Sequence, residues 1–400
     1  MSLSENDLKS LLLLNRMCGG GLPFYLTEFL HAGMAPSELV FKIQEENLLE
    51  KKEELEKTFK IFSADLEFEK CEQWGIRILS FWDEDYPASL KDIAQPPAVL
   101  YVAGTLLVED AAALAIVGSR YPSLYGITQT RRFSSSLSSS GLTIISGMAQ
   151  GIDLAAHEGA LSISHGRTLA VLGCGLDVDY PRHRKKIQEK ILERGALISE
   201  YPFGTPPLAE NFPKRNRIIS GLSLGVFVVE AHERSGSLIT ARQGLDQGKE
   251  VFALPGPVDH ITSRGAHRLI KEGACLVESP ADILENLKNS LELLRPSLPA
   301  LQEIPTDLSL NEESCEVSHL PLEGEAVKKL NQDELDIIGL LKEKGSLCLD
   351  EIVILLQKSL ESLMPAVTIM ELKRVIIKGW DGKYAINFDK GTCESRRNKA

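Results

Sequence analysis

The sequence predicts an α/β protein whose central part forms a mostly parallel, doubly wound β-sheet. Short aliphatic and β-branched runs recur between residues 114 and 278, with helical segments between most of them. The runs are continuously apolar, which is typical of parallel strands covered by helices on both faces. Glycine, serine and arginine follow several runs, at the strand ends where sheets of this kind bind ligands.

The predicted strands come in chain order at the spacing of strand–helix units. Seven runs are expected to be strands: LAIVG (114–118), LTIISG (142–147), TLAVLG (168–173), ALIS (196–199), GVFVVEA (225–231), EVFALPG (250–256) and CLVE (275–278). Two shorter strand-like pieces precede them, at 76–81 and 98–104, with a proline-rich loop between. We therefore predict a Rossmann-like domain over residues 71–285 with a core of about seven strands.

The flanking regions have different patterns. Residues 1–70 are predicted to be helical, with a glycine-rich turn after Cys18 and a charged helical stretch at 44–60. This N-terminal domain fits a SAM or helix-hairpin-helix fold whose turn contacts DNA phosphate, and it fits a plain helical packing unit at least as well. Residues 286–330 have the composition of a linker, 331–388 predict three helices and a two-stranded wing, and 389–400 form a polar tail. Helices followed by a wing indicate a winged-helix domain.

Charge is unevenly distributed along the chain. The whole sequence has a net charge of −12, whereas residues 114–280 contain 19 Lys and Arg against 15 Asp and Glu. The acidic total argues against a protein that coats DNA through bulk charge, and the basic centre leaves a local nucleic-acid surface open. No run reaches the ~18 apolar residues of a membrane span, so we expect a cytoplasmic protein. Seven cysteines without C-x-x-C spacing predict no metal site, and no cofactor is predicted.

Several catalytic motifs are matched only in part. GLSLG (221–225) fits the pattern of a serine-hydrolase nucleophile, but a helix is predicted before it where that motif requires a strand. GLDQGKE (244–250) has too few residues between its glycines for a phosphate-binding P-loop. Neither AHEGA nor AHERS has the spacing of a zinc protease. These comparisons favour a binding protein over an enzyme.

Three turns are suited to binding phosphate. The candidate residues are Gly118, Ser119 and Arg120 after the first strand, Gly147 and Gly151 after the second, and Ser235, Gly236, Ser237 and Thr240 at a helix start. Backbone N–H groups at helix starts bind anions, and glycine allows close approach. Each turn alone is equally consistent with ordinary helix capping. Together, on one edge of a sheet, they predict an extended anion site.

The segment NFPKRNRIISGLS (211–223) adds cations to this edge. Lys214, Arg215 and Arg217 lie within four positions at the start of a predicted helix, with Asn216 among them. Cations at a helix N-terminus oppose the helix dipole at a cost of about 0.3–1 kcal/mol, which suggests that an anion binds there. Phe212 beside them offers a face on which a base could stack.

These motifs are similar to those of the DNA-processing protein A (DprA/Smf) family. The resemblance covers residues 76–280 nearly continuously and is carried by VGSR, SGMAQGIDLAAH, GCGLDVDYP, SEYPFGTPP, NFPKRNRIISGLS, SGSLITAR and VFALPG. It implies a single-stranded DNA-binding protein that forms homodimers, protects incoming DNA during natural transformation and loads the RecA recombinase. In the family pattern, Arg120 matches a DNA-contacting arginine and Phe212 the aromatic residue. Some relatives have a lysine where this chain has Ala209.

Two other functions stay open at this point. A Rossmann-like enzyme acting on a nucleotide or nucleoside phosphate would use Glu230, at a strand end, as its acid or base. A scaffold for RecA without a DNA site would need the glycine turns only for packing. Because relatives differ at Ala209, the choice among Lys214, Arg215 and Arg217 as the cation that contacts DNA is also open.

Overall fold

The computed structural model describes residues 3–18, 28–29, 32–46, 62–181, 184–294, 332–372, 375–378 and 382–386. Two compact units make up the chain. The first contains Met1–Arg120 and Gln129–Leu308, and the second contains Tyr121–Thr128 and Ser309–Ala400.

One nine-stranded sheet forms the centre of the first unit. Its strands are β1 (Ile76–Ser80), β2 (Val99–Gly104), β3 (Ala113–Val117), β4 (Thr143–Ser146), β5 (Thr168–Leu172), β6 (Ala196–Ser199), β7 (Gly225–Val228), β8 (Glu250–Ala253) and β9 (Cys275–Leu276). Their order across the sheet is β1-β2-β6-β5-β4-β3-β7-β8-β9. Strands β3 to β9 pair in parallel, which confirms the seven predicted strands and the doubly wound α/β class.

The sheet is larger than predicted because the two early strand-like pieces join it. Strand β2 pairs antiparallel with β6, where Tyr101 lies opposite Ser199, and β1 pairs antiparallel with β2. A core of about seven strands therefore becomes a sheet of nine. The antiparallel pair extends one edge, and β9 lies at the other.

Helices surround this sheet. The first unit and the segment that leads into it contain α1 (Glu5–Met17), α2 (Pro36–Glu46), α3 (Ala64–Trp74), α4 (Ala88–Lys91), α5 (Leu124–Ser139), α6 (Ile152–Leu161), α7 (Lys185–Arg194), α8 (Asn211–Gly221), α9 (Gly236–Asp246), α10 (Arg264–Lys271) and α11 (Pro280–Leu294). None of the helices in the described part of the chain combines the length and apolarity needed to cross a membrane.

Strand β3 shows how the two faces of the sheet are covered. Ala115 and Val117 pack in one apolar cluster with residues of α4, α8, α9 and α10, whereas Leu114 and Ile116 pack in another with residues of α5, α6 and α11. All four side chains are buried. Burial on both faces explains why the strand is continuously apolar.

The N-terminal helices pack on the β2–β6 side of the sheet. Leu11, Leu14 and Leu39 share a cluster with Tyr101 of β2 and Leu197 of β6. The predicted boundary between residues 70 and 71 falls inside α3. The glycine-rich turn and residues 47–60 of the predicted charged helix lie outside the described residues.

The predicted linker begins too early. Residues 286–294 form the last part of α11, where Leu287 and Leu291 are buried. Polar residues between these leucines gave the stretch the composition of a linker, although the apolar spacing of a helix continues. The rest of the predicted linker and the polar tail lie outside the described residues.

The C-terminal part of the second unit has its own core. It contains α12 (Gln332–Lys344), α13 (Leu349–Leu356), α14 (Leu360–Leu372) and an antiparallel pair, β10 (Ile376–Lys378) and β11 (Tyr384–Ile386). Ile337, Ile352, Val367 and Tyr384 pack together inside it. Three helices and two strands follow in the predicted order, and the winged-helix assignment remains a prediction.

His157 is buried in α6 beside the start of β5. The Thr168 hydroxyl donates to the carbonyl oxygen of Ile144 (2.6 Å), so His157 Nδ1 must be the donor in its 2.7 Å hydrogen bond to Thr168 Oγ1. Nε2 is then an acceptor, and it has no hydrogen-bond partner in the described part of the chain. Burial, together with the charge of Arg215, lowers the pKa of His157 to about 3.

We predict that His157 makes the folded state lose stability in mild acid. Below the unfolded pKa of about 6.5, the unfolded chain binds a proton that the native state does not, and the free energy of unfolding falls. Between pH 7 and pH 5 the loss is about 2 kcal/mol. Urea unfolding of wild type and His157→Gln across this range measures it. An equal pH dependence in both proteins would contradict the prediction.

Candidate nucleic-acid interface

The predicted phosphate turns meet where the strand order reverses. Strands β4, β5 and β6 follow β3 on one side of it, whereas β7, β8 and β9 follow on its other side, so the order reverses between β3 and β7. The Ser119 N–H donates to the Glu230 carbonyl oxygen (2.7 Å), and the Ser119 carbonyl accepts from the Ile152 N–H (3.1 Å). The turn after β3 is thereby joined to the end of β7 and the start of α6. Doubly wound sheets bind ligands at this position.

The two glycines of the turn after β4 are required by packing inside the protein. Gly151 has φ +90°, a left-handed conformation that side chains disfavour, and a Cβ there would strike the carbonyl of Ser119. A Cβ on Gly147 would lie 2.6 Å from Arg215 Nη2 and 2.7 Å from Asp153 Oδ2. These glycines therefore let other protein groups come close to the backbone, whereas the sequence suggested that a phosphate would do so.

Arg215 is a buried cation that joins α8 to two strand ends. Only 3% of the residue is exposed. Its Nη1 donates to the carbonyl oxygens of Gly147 (2.9 Å), after β4, and of Val171, in β5. Burial raises the pKa of Asp153, and the positive charge of Arg215 acts against that rise. Arg215 was a candidate for contacting DNA, but its guanidinium is engaged inside the protein.

Phe212 lies at the centre of a cluster of aromatic rings and guanidinium groups. Its ring centroid is 5.2 Å from that of Tyr180, and the guanidinium carbons of Arg120 and Arg215 lie 5.1 and 5.6 Å from it. Gly173 leaves room for the ring, since a Cβ there would come within 3.3 Å. Phe212 is only 9% exposed, so the predicted stacking face is largely covered. The exposed group above the ring is Arg120.

The third clustered cation has a partner of opposite charge. Arg217 donates to both carboxylate oxygens of Glu200 (2.6 and 2.9 Å) and to the Gln95 carbonyl (2.9 Å). The Arg217 and Glu200 side chains are 12% and 1% exposed. Of the three cations, only Lys214 has an exposed side chain. The sequence left the choice among them open, and the structure favours Lys214 for contact with a ligand.

The start of α9 lies beside α8. The Ser235 hydroxyl caps α9 by accepting from the Ser237 N–H (3.4 Å), and the two hydroxyls are 2.8 Å apart. Asn216 Nδ2 donates to the Gly236 carbonyl (3.3 Å), which links the two helices. Thr240 is buried one turn further on. Ser235 and Gly236 are therefore the accessible part of this turn.

Three residues that shape this site were assigned no role from the sequence. Tyr180 packs on Phe212, Asp153 lies near Arg215, and Glu200 pairs with Arg217. Tyr180 lies in the motif GCGLDVDYP and Asp153 in SGMAQGIDLAAH. The position of Tyr180, an aromatic residue in a loop after a strand, could have indicated a role in the site. Nothing in the local pattern pairs Glu200 with a cation 17 positions later.

Comparison with known proteins gives consistent matches. The family model described as DNA recombination-mediator protein A matches residues 77–288. Protein Smf of Escherichia coli is 52% identical over 217 residues, covering 54% of this chain and 58% of that protein. The DNA processing protein DprA of Streptococcus pneumoniae is 43% identical over 232 residues, covering 58% of this chain and 80% of that protein.

A solved structure agrees with these matches. The crystal structure of DprA from S. pneumoniae covers 71% of this chain and 98% of its own, with a TM-score of 0.61 and 34% sequence identity. The match extends over less than two thirds of some relatives, since it spans 58% of the E. coli and 56% of the Synechocystis Smf protein.

We predict that Arg217 contributes to stability through Glu200. Arg217→Met leaves a buried carboxylate without its partner, at a cost of about 3–5 kcal/mol in the free energy of unfolding. Lys214→Met, on the exposed side of the same helix, changes it by about 0.5 kcal/mol or less. Urea unfolding at pH 7 measures both variants. Equal stability of the two would contradict the assignment of Arg217 to the fold.

Proposed function

The chain belongs to the DNA recombination-mediator protein A family, and on that premise we propose that it is a single-stranded DNA-binding recombination mediator. In this proposal it acts in the cytoplasm as a homodimer, protects incoming DNA and loads the RecA recombinase onto it. The pneumococcal relative is named a DNA processing protein, and the family description names recombination mediation. These names support the role, and the geometry of the strand-end site supports the ligand.

The observation that carries the proposal is the exposed guanidinium of Arg120 held over Phe212. The two groups are 5.1 Å apart, and Arg120 takes part in no ion pair within the described ranges. Lys214 is exposed on the helix that carries Phe212. A planar guanidinium binds phosphate in a bidentate manner and also stacks on bases. Positive charge beside aromatic rings is the combination that proteins use to bind single strands.

The positions of the phosphate-binding turns also favour a single strand. The turns of Gly118–Arg120 and Ser235–Gly236 lie at strand ends, with α8 beside them. A single strand can bend to place separate phosphates at these turns, and its bases are free to stack. We infer that Arg120 and Lys214 bind backbone phosphates, with the start of α9 as a neighbouring N–H site.

The two alternatives receive less support. Glu230 would be the acid or base of a nucleotide enzyme, but it is only 2% exposed. Its backbone carbonyl accepts a hydrogen bond from the Ser119 N–H. Turnover of AMP-like compounds that is lost in Glu230→Gln would establish that function. A scaffold without a DNA site would retain RecA loading when Arg120 and Lys214 are both replaced by Ala.

We predict that Arg120→Ala and Lys214→Ala each weaken binding of oligo-dT and flatten its salt dependence. Each lost phosphate contact reduces the slope of log K against log salt by about 0.7. Fluorescence anisotropy from 50 to 200 mM salt measures this, with equal-length duplex as competitor.

Arg77→Ala is the matched control. Arg77 is an exposed arginine in β1, the outermost strand on one side of the sheet, and four strands separate β1 from β3. We expect the Arg77→Ala protein to bind oligo-dT with the affinity of the wild type and with the same slope of log K against log salt. Equal affinity for duplex and single strand, or an unchanged Arg120→Ala protein, would sink the proposal.

A further inference from the structure

We propose that the turn between α13 and α14 carries a docking surface for another protein, which supplies an apolar helix flanked by lysine or arginine. The surface is formed by Ile354, Leu355, Leu360 and Met364, and we call it the α13–α14 corner. It lies in the C-terminal part of the second unit and contains none of the residues assigned to the strand-end site. The inference therefore goes beyond the proposed function and is independent of it.

Exposed apolar side chains surround the turn that joins the two helices. Ile354 and Leu355 lie in the last turn of α13, and Leu360 and Met364 lie in the first two turns of α14. Their exposed fractions range from 42% for Met364 to 71% for Ile354. Because only residues 357–359 separate the helices, the four side chains are grouped around one turn of the chain.

The core of this part of the chain is built from other residues of the same helices. The buried residues are Ile352 in α13 and Leu363, Ala366, Val367 and Met370 in α14. Both helices are thus apolar on their exposed side as well as on their buried side. A surface helix normally has polar residues on its outer face. Grouped apolar side chains that remain exposed are typical of a surface that binds another molecule.

The charges of the two helices are mostly negative. Between residues 349 and 372 the acids are Asp350, Glu351, Glu361 and Glu371, and the one cation is Lys358. All of these acids except Glu351 are exposed. Lys358 Nζ lies 2.6 Å from a carboxylate oxygen of Asp333 and 2.6 Å from one of Asp336, so α12 neutralises it. The apolar surface therefore has an acidic border, which favours a partner with positive charge around its own apolar residues.

Duplex DNA does not fit this surface. A helix that reads the major groove needs cations on phosphates and polar side chains on base edges. Helix α14 contains no lysine or arginine, and its exposed Glu361 and Glu371 would repel phosphate. The exposed side of α14 therefore has the chemistry of a protein-binding surface, although the order of helices and strands predicts a winged helix.

A second copy of the same surface fits less well than a basic partner. Two α13–α14 corners in contact would place their acidic borders against each other, and like charges across an interface oppose association. A basic amphipathic helix satisfies both features, because its apolar side covers the leucines and its cations meet the acids. Met364 suits such a contact, since its flexible thioether adapts to an irregular apolar surface.

The apolar part of the surface is tested with the full chain and two synthetic amphipathic helices of about 18 residues. One has leucine on one side and lysine on the other, and the second has glutamate in place of lysine. We expect the wild type to bind the leucine–lysine peptide and not the leucine–glutamate peptide. In Ile354→Ser/Met364→Ser the affinity for the leucine–lysine peptide should fall about tenfold. Fluorescence anisotropy of the labelled peptides measures both.

The matched control removes two exposed leucines from the first unit. Leu66→Ser/Leu293→Ser should bind the leucine–lysine peptide as the wild type does. Leu355→Ser/Leu360→Ser repeats the test at the other two positions of the α13–α14 corner, and urea unfolding identifies any variant that has lost stability. A loss of affinity in the control that equals the loss in the corner variants, or no loss in any variant, would overturn the proposal.

The acidic border is tested with Glu361→Gln/Glu371→Gln. We expect about a fivefold loss of affinity for the leucine–lysine peptide at about 0.1 M salt and little loss at about 1 M, where salt screens these exposed charges. Glu285→Gln/Glu292→Gln removes two exposed acids from α11 and is the control for overall charge. An equal loss in both variants would refute the role of the acidic border.

Two further measurements distinguish the other possible occupants. Wild type and Ile354→Ser/Met364→Ser should bind a duplex of about 30 base pairs equally, and light scattering should give both the same mass. Weaker duplex binding by the variant would assign the corner to DNA, and a smaller mass would assign it to a second copy. Either result overturns the proposal. A wild type that binds no oligo-dT would remove the proposed function and leave this inference standing.

Discussion

The site depends on the burial of one guanidinium, that of Arg215. An arginine keeps its charge when buried, so its donors must find acceptors within the protein. Arg215 finds them at the ends of two strands, on the carbonyls of Gly147 and Val171. These bonds fix α8 across the edge of the sheet. Phe212 lies three residues earlier on the same helical face, so fixing Arg215 also fixes the ring on which Arg120 rests.

Burial then sorts the charges of one short segment into two roles. Arg215 and Arg217 are held by carbonyls and by Glu200, and their loss would leave buried groups unsatisfied. Lys214, which immediately precedes them in the sequence, is exposed to solvent and stabilises little in the absence of a ligand. The helix thus uses its inner cations for position and leaves its outer one exposed, where we propose that it binds phosphate. Gly147 and Gly173 make this possible, because side chains there would meet Arg215 and Phe212.

The sequence predicted those features that burial imposes locally. Seven continuous apolar runs marked strands covered on both faces, and all seven proved to be strands. Features set by distant pairing were missed: β1 and β2 join the sheet through β6, about a hundred residues later. The same limit applied to the site. The pattern brought Arg120 and Phe212 to one edge, but it could not show that Phe212 is covered or that Glu200 neutralises Arg217.

Charge placement also resolves the contrast between an acidic chain and an anionic ligand. Helices α7 and α8 both begin at the edge of the sheet proposed to bind the ligand, without an acid in the first turn, and both expose cations there. Salt screens charges beyond about 8–10 Å, so a phosphate bound at this edge, as proposed, would respond chiefly to these cations and helix ends. The net negative charge of the chain is therefore compatible with the proposed binding of an anionic strand at this edge.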